Sequence, residues 1–221
     1  MKKTAFLIYY LSAAILISCT KNTTNGHEWV DLGLPSGTKW ATCNVGASTP
    51  ESYGDYFAWG EIEKKDIYNI NTYKYGFSYN QLTKYCTDTL YGLDGFADNQ
   101  TILKLTDDAA HAAWGGNWRM PTAAEWKELY QYCEWIWITL NGINGYKVKS
   151  KINGNSIFLL ATGFYFNGSL YGAGNCANYW SSSIDTEYPF GAACIGFEAD
   201  SVIIGESWYR FWGYSVRPVC E

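Results

Sequence analysis

The chain has 221 residues, a formal net charge of -5 and no run of lysine or arginine. This length is sufficient for one domain with a substantial core, whereas the acidic charge argues against nucleic acid as a partner. Aromatic residues make up 18% of the chain and charged residues 17%, so some of the aromatic rings must be exposed.

Residues 1–18 have the pattern of a signal peptide. Lys2 and Lys3 precede an uncharged stretch, 5–17, that is too short to cross a bilayer as a helix. The Leu-Ile-Ser sequence before Cys19 resembles the lipobox of bacterial lipoproteins, whose cysteine receives the lipid. We therefore expect an exported protein held on the cell envelope by a lipid on Cys19, with the outer membrane favoured and its periplasmic or surface face left open. The alternative is an ordinary signal peptide followed by a chance cysteine.

The segment after the lipidation site is polar and has no periodicity. Residues 19–26 therefore predict a lipidated tether, and residues 27–221 a single folded domain. Between residues 29 and 60, short apolar runs broken by glycine and proline favour strands and turns, with 40–45 as the clearest strand. The tyrosine-rich segment 61–105 predicts mostly a long loop.

Two short helices are predicted next, at about 106–114 and 122–134. Asp107 and Asp108 open the first helix, where negative charge stabilises the amino end. The second helix begins with a threonine followed three positions later by a glutamate, which is the pattern of a capping box. Its apolar residues recur at helical spacing, so one face should pack into a core.

The apolar period then changes to two, which is typical of strands. The predicted strands are 135–138, 146–151, 157–162, 179–183, 192–198, 202–204 and 214–219. Asn-Gly pairs favour hairpin turns, and they occur at 141–142, 144–145, 153–154 and 167–168. The predicted fold class is α+β, with antiparallel sheets and hairpins.

A segment at 118–126, WRMPTAAEW, resembles a signature of bacterial domains with a C-type-lectin-like fold. Four further segments extend the resemblance in order, at 29–41, 107–110, 179–182 and 215–219. Together they are similar to the Fibrobacter succinogenes major paralogous domain (FISUMP), a family of exported bacterial lipoproteins. The resemblance implies a C-type-lectin-like fold, in which the amino-terminal and carboxy-terminal strands pair and two helices flank the sheet.

Six cysteines follow Cys19, and an even number in an exported protein permits disulfides. The residues alone do not choose among the possible pairings. The family resemblance implies that Cys43 pairs with Cys220, Cys86 with Cys133 and Cys176 with Cys194.

The stretch 119–126, RMPTAAEW, also resembles the formylglycine-generating enzymes, which use reactive cysteines and copper on a related fold. This resemblance raises an oxidase as an alternative, but no convincing pair of active-site cysteines can be placed in the later part of the chain. The two histidines, His27 and His111, have no evident triad partner. No zinc-binding spacing occurs either. We therefore expect neither catalysis nor a catalytic cofactor.

Several acidic side chains lie in one predicted loop, and oxygen ligands at such spacing could hold a structural calcium ion. The candidates are Asp88, Asp94 and Asp98. Their spacing matches no EF-hand, and the sugar-binding tripeptides of C-type lectins are missing.

The segment 208–212 carries four aromatic rings around one arginine. Five large side chains in a row cannot all point inward on a strand, although alternate rings could belong to the core. Exposed rings stack on sugars and anchor protein interfaces. The predicted contact residues are Trp208, Tyr209, Phe211, Trp212, Tyr165 and Tyr171. They favour a non-catalytic binding module for an extracellular glycan or protein, and a structural or adhesive subunit of a surface assembly is the alternative.

Overall fold

A computed structural model describes residues 22–221, so the predicted signal peptide and the predicted lipidation site at Cys19 lie outside the described part. Within residues 22–221 no helix is long and apolar enough to cross a membrane. The strands, in order, are β1 (Thr23–Thr24), β2 (His27–Asp31), β3 (Lys39–Ala41), β4 (Tyr56–Phe57), β5 (Cys133–Leu140), β6 (Ile143–Ser150), β7 (Ser156–Leu160), β8 (Phe164–Phe166), β9 (Ser169–Tyr171), β10 (Cys176–Ile184), β11 (Gly191–Glu198), β12 (Ser201–Tyr209), β13 (Tyr214–Ser215) and β14 (Val219–Cys220). The two α-helices of this part are α1 (Ala109–Trp114) and α2 (Ala123–Tyr132).

The described strands form four mainly antiparallel sheets. Their orders are β1-β2-β3-β14, β12-β11-β10-β13-β4, β5-β6-β7 and β8-β9. One face of β10-β11-β12 packs on α2 and the β5-β6-β7 sheet in the largest core cluster, which contains Trp126, Tyr146 and Phe197. The opposite face of these strands carries the surface described below. The predicted α+β class with antiparallel sheets agrees with this architecture.

The two ends of the described chain meet in one sheet. In the antiparallel pairing of β3 with β14, Trp40 lies opposite Val219 and Lys39 opposite Cys220. The carboxy-terminal strand therefore joins the sheet of the amino-terminal strands, as expected, although its neighbour is β3 and not the first strand. The predicted strand 214–219 instead divides into β13 and β14, because its two ends belong to different sheets.

The second predicted helix is confirmed, although it ends two residues early. Thr122 caps α2 by accepting a hydrogen bond from the backbone N–H of Glu125, while the Glu125 side chain accepts from the backbone N–H of Thr122. At Cys133 the backbone is extended and β5 begins. Local polar chemistry therefore fixes the start of this helix, and sheet pairing fixes its end.

The first helix is shorter than predicted. Asp108 is its N-cap, accepting from the backbone N–H groups of Ala110 and His111. Asp107 lies in a preceding 3-10 turn, and its buried carboxylate accepts hydrogen bonds from Tyr75, Tyr85 and Lys84. The prediction that Asp107 is a helix-start charge is therefore wrong, because tyrosines of the long loop use its oxygens.

Two of the Asn-Gly predictions are confirmed as tight turns. Asn141 and Asn167, each followed by glycine, adopt left-handed backbone angles (φ 50° and 49°) and connect β5 to β6 and β8 to β9. Asn153-Gly154 lies in the loop between β6 and β7. Asn144-Gly145 lies inside β6, where a Cβ on Gly145 would be 2.2 Å from the carbonyl oxygen of Leu159. That glycine permits close strand packing, so its prediction as a turn is wrong.

The folded domain begins before residue 27. Thr23 and Thr24 pair with Glu28 and His27 across a turn at Asn25. The carbonyl oxygen of Thr24 also accepts a hydrogen bond from Nε1 of the buried Trp118, at 2.9 Å. The last four residues of the predicted tether 19–26 therefore belong to the fold.

The expected disulfides are not formed, since Cys43, Cys86, Cys133, Cys176, Cys194 and Cys220 are all free thiols. In the β10–β11 register, Cys194 lies opposite Trp180, four positions from Cys176. Four residues of strand span about 13 Å, well beyond the roughly 7 Å Cα separation that a disulfide tolerates.

The other two expected pairs are also separated. Cys43 lies between Ala41, which donates to the carbonyl of Pro218, and Val45, which donates to that of Val216. It is therefore out of register with Cys220. Cys133 packs in the core beside α2, whereas Cys86 lies in the loop that Asp98 closes.

The carboxylate of Glu125 joins the helix cap to the amino-terminal sheet. It accepts two hydrogen bonds from Arg119, at 2.7 and 2.8 Å, and one from the Thr38 hydroxyl, at 2.9 Å. Burial alone would raise the pKa of Glu125, but the hydrogen bonds from Arg119 and Thr122 outweigh burial and hold this pKa below its usual value.

We expect Glu125→Gln to lower the free energy of unfolding by about 2 kcal/mol at neutral pH, because charge-assisted bonds to Arg119 are lost. Chemical denaturation measures the change, and Lys127→Gln, an exposed position on the same helix, is the control with little effect. Because the folded pKa is depressed, the carboxylate stabilises the fold above its unfolded-state pKa, and this contribution is lost as pH falls through the folded pKa. The two proteins should therefore converge in acid, and a pH-independent difference would contradict the assignment.

Candidate ligand-binding surface

The β12 strand forms one edge of the five-stranded sheet and displays the candidate surface. Val202 and Ile204 point into the main core. At Gly205 (φ 78°) a bulge inserts one extra residue, since Ile195 pairs with Ile204 but Cys194 pairs with Glu206. Without the bulge, strand alternation would point the Glu206 side chain into the core. The extra residue places this side chain on the outward face instead.

Four aromatic rings form a continuous stack on this face, and we call them the aromatic stack. Trp208 and Trp212 have ring centroids 5.1 Å apart and planes 17° from parallel. Phe164 follows Trp212 at 5.3 Å and 9°, and Tyr171 follows Phe164 at 5.7 Å and 26°. Trp208 is 37% exposed and Tyr171 46% exposed, so both ends of the stack are open to solvent.

A hollow of about 250 Å³, called the first hollow, lies beside the stack and is lined by Trp208, Trp212 and Phe164. Its polar lining includes Asn178 and Glu206. A Cβ on Gly196 would be 2.4 Å from a carboxylate oxygen of Glu206 and 3.3 Å from Oδ1 of Asn178. The absence of a side chain at residue 196 therefore lets both polar groups lie low over the sheet.

A second hollow, of about 460 Å³, also includes Trp208 in its lining. Tyr188, Phe190 and Tyr209 supply further rings, and Asp185 supplies a carboxylate. Oδ1 of Asp185 accepts from the backbone N–H of Glu187 and of Tyr188, at 2.9 and 3.1 Å, which fixes the loop carrying Tyr188. Because Trp208 lines both, the two hollows are neighbours along β12.

The structure divides the six predicted contact residues. Trp208, Trp212 and Tyr171 belong to the aromatic stack, and half-buried Tyr209 lines the second hollow. Phe211 is buried against Tyr209, and Tyr165 packs against Tyr56 at 4.8 Å. Phe211 is therefore a core residue, and half-buried Tyr165 packs against the same core cluster, so neither belongs to the aromatic stack.

The arginine between the predicted rings has a structural role. Arg210 is fully buried over the ring of Trp59, at 4.9 Å, and donates to the carbonyl of Lys84. Burial lowers the pKa of Arg210. It anchors the turn that carries Trp212 back onto Trp208.

Sequence reasoning missed several residues of the surface, namely Phe164, Asn178, Glu206, Tyr188 and Phe190. They come from four separate segments, and only the strand register brings them together. The Phe-Tyr-Phe run at 164–166 is the one local pattern that could have indicated Phe164. Side chains alternate between the two faces of a strand, so Phe164 and Phe166 must lie on the face opposite to Tyr165.

The acidic residues proposed for calcium serve the loop backbone. The two oxygens of Asp98 accept from the backbone N–H groups of Tyr85 and Cys86, each at 2.9 Å. Asp88 accepts from the backbone N–H of Leu90, and Asp94 occupies a left-handed turn position. Residues 22–221 hold no group of three or more metal-ligating side chains, so the calcium proposal is not supported.

Both histidines pack against tryptophans. The His27 ring stacks on Trp114 at 3.8 Å, and burial lowers the pKa of His27. Nδ1 of His111 lies 3.2 Å from the carbonyl oxygen of Trp118. The His27 contact holds the amino-terminal hairpin on α1, and the His111 contact links α1 to the segment that follows it.

The chain matches no protein-family model, no curated protein and no solved structure. The resemblance to the Fibrobacter family therefore rests on the sequence motifs. The function has to be inferred from the aromatic stack and the two hollows themselves.

Proposed function

We propose that this domain is a non-catalytic module that binds an extracellular glycan at the aromatic stack. The observation that carries the proposal is a row of near-parallel rings, exposed at both of its ends, beside a hollow with polar groups in its lining. Sugar rings present flat C–H faces that stack on aromatic rings, while their hydroxyl groups need hydrogen-bonding partners. The surface beside Trp208 offers both.

The polar groups of the first hollow suit hydroxyl recognition. Asn178 can donate and accept, and the Glu206 carboxylate accepts, so together they can engage a hydroxyl pair on one sugar. Glu206 is also oriented by a hydrogen bond from Nε1 of Trp208, at 3.2 Å. A ligand therefore meets partly preorganised groups, which limits the entropy lost on binding.

The stack is built mainly on strands of the fold. Its members come from β8, β9, β12 and the turn before β13, and Phe164 also contacts the buried ring of Tyr214 at 6.2 Å. Sites held by packed strands keep their geometry without a ligand. This arrangement supports binding through a preformed surface.

The proposal includes the cellular localisation expected from the sequence. We propose an exported lipoprotein of the FISUMP family with a C-type-lectin-like fold, anchored to the cell envelope, with the outer membrane favoured, through Cys19. Because the described fold starts at Thr23, only a short connection separates the lipid from the domain.

A structural or adhesive role in a surface assembly is a second candidate, favoured by one observation. The β12 strand is nine residues long and forms a sheet edge, and its Ile203 side chain is 49% exposed. Edge strands can add a strand from another protein. Such a partner would cover β12 itself rather than the ring faces.

We expect Trp208→Ala to weaken glycan binding about tenfold or more, because a stacked ring at the centre of a site contributes at least ~1.4 kcal/mol. Titration against a panel of neutral, amine-bearing and uronate oligosaccharides measures the affinity. Tyr132→Ala is the matched control, because Tyr132 is 39% exposed but lies on α2. No binding to any oligosaccharide by the natural chain, or equal binding by both variants, would contradict the proposal.

Lipidation is tested separately by mass spectrometry of the amino-terminal peptide from native membranes. We expect an acylated Cys19 at the new terminus, and we expect Cys19→Ala to leave the membrane fraction. If Cys19 is unmodified and the protein is not found in the membrane fraction, the proposed lipid anchor is wrong. The glycan proposal is not affected by that result.

A further inference from the structure

The two hollows beside Trp208 share an electrostatic property. Glu198 and Glu206 line the first hollow and Asp185 lines the second, whereas no lysine or arginine of the described residues lines either. The whole chain is also acidic, with a formal net charge of -5. An anionic ligand is therefore repelled at both hollows, and a cationic group is attracted.

The aromatic rings favour the same kind of ligand. A cation is attracted to the face of a tryptophan or tyrosine ring, and the attraction grows where water is excluded. Trp208 lines both hollows, and the carboxylate of Glu206 lies 3.2 Å from its Nε1. A protonated amine beside Trp208 would therefore meet a ring and a carboxylate together.

We propose that the ligand is a chain of amine-bearing sugars that crosses Trp208 and occupies both hollows. This inference rests on the proposed glycan-binding function and names the class of glycan. The sugar rings pack on the aromatic stack and on Tyr188, while their ammonium groups donate charge-assisted hydrogen bonds to Glu206 in one hollow and Asp185 in the other. The two hollows, of about 250 and 460 Å³, together have the size of an ordinary ligand site.

The charge preference is tested by calorimetric titration of the full chain with three hexasaccharides of matched length. The sugars are a glucosamine chain, its N-acetylated form and a uronate chain. At a pH that keeps the amines protonated, the glucosamine chain should bind about tenfold tighter than the acetylated chain, and the difference should narrow as salt is raised. The uronate chain should not bind.

Two variants assign this preference to the first hollow. Glu206→Gln keeps the shape of the side chain but removes its charge, so the preference for free amines should fall severalfold, and the carboxylate of Asp185 should retain the remainder. Glu63→Gln, an exposed position outside both linings, is the control and should keep the preference. An unchanged preference in Glu206→Gln would overturn the assignment.

Chain length tests the second hollow. Tyr188→Ala should weaken binding of the glucosamine hexasaccharide several-fold but leave that of the disaccharide, which fills only the first hollow, unchanged. Equal loss for both lengths, or no loss for either, would overturn the two-hollow proposal.

Equal affinity for the acetylated and free-amine chains would overturn the amine preference while the glycan function stands. If the glucosamine chain does not bind, this inference fails, and the neutral sugars of the wider panel decide the glycan function independently.

Discussion

Arg217 is fully buried where the two ends of the described chain meet. Its guanidinium donates to Oδ1 of Asn44 at 2.9 Å and to the carbonyl oxygens of Ala41, Thr42 and Phe158 at 2.9–3.0 Å. A buried guanidinium without partners would cost several kcal/mol, so these acceptors must be in place when the chain folds. The side chain therefore holds the end of β3, the strand β7 and the carboxy-terminal segment in one arrangement.

The candidate surface depends on that arrangement through the chain itself. Two residues before Arg217, Ser215 pairs with Tyr179 of β10, and Trp212 lies just before this strand. Fixing the carboxy-terminal segment therefore sets where Trp212 lies against Phe164. On the other side, the bulge at Gly205 aims Glu206 and Trp208 at the same hollow. Arg217 and the glycine bulge thus position the two sides of the surface, Arg217 through the segment that carries Trp212 and the bulge through β12.

The features that could be predicted from the sequence are local. The helix cap at Thr122 requires only Glu125 three positions later, and the turn at Asn141 requires only the glycine that follows. Both features could therefore be predicted from the sequence. Asn144-Gly145 has the same letters as a turn, but the nearby carbonyl of Leu159 decides its role. The separation of the six cysteines and the polar lining of the first hollow also depend on register between distant strands, which composition and periodicity do not specify. Trp208 could be proposed because five bulky residues in a row cannot all be buried, whereas the packing of Phe211 and Tyr165 against the core could not be predicted without their partners.

The central claim is that glycan binds at the surface around Trp208. The chain has 11 tryptophans, so a spectrum of ¹⁵N-labelled protein resolves up to that number of indole N–H signals, which report on sites throughout the fold. Titration with the tightest-binding oligosaccharide of the panel should shift the signals of Trp208 and Trp212 while those of Trp40, Trp118 and Trp126 remain in place. Shifts confined to tryptophans away from the aromatic stack, with Trp208 unmoved, would contradict the account.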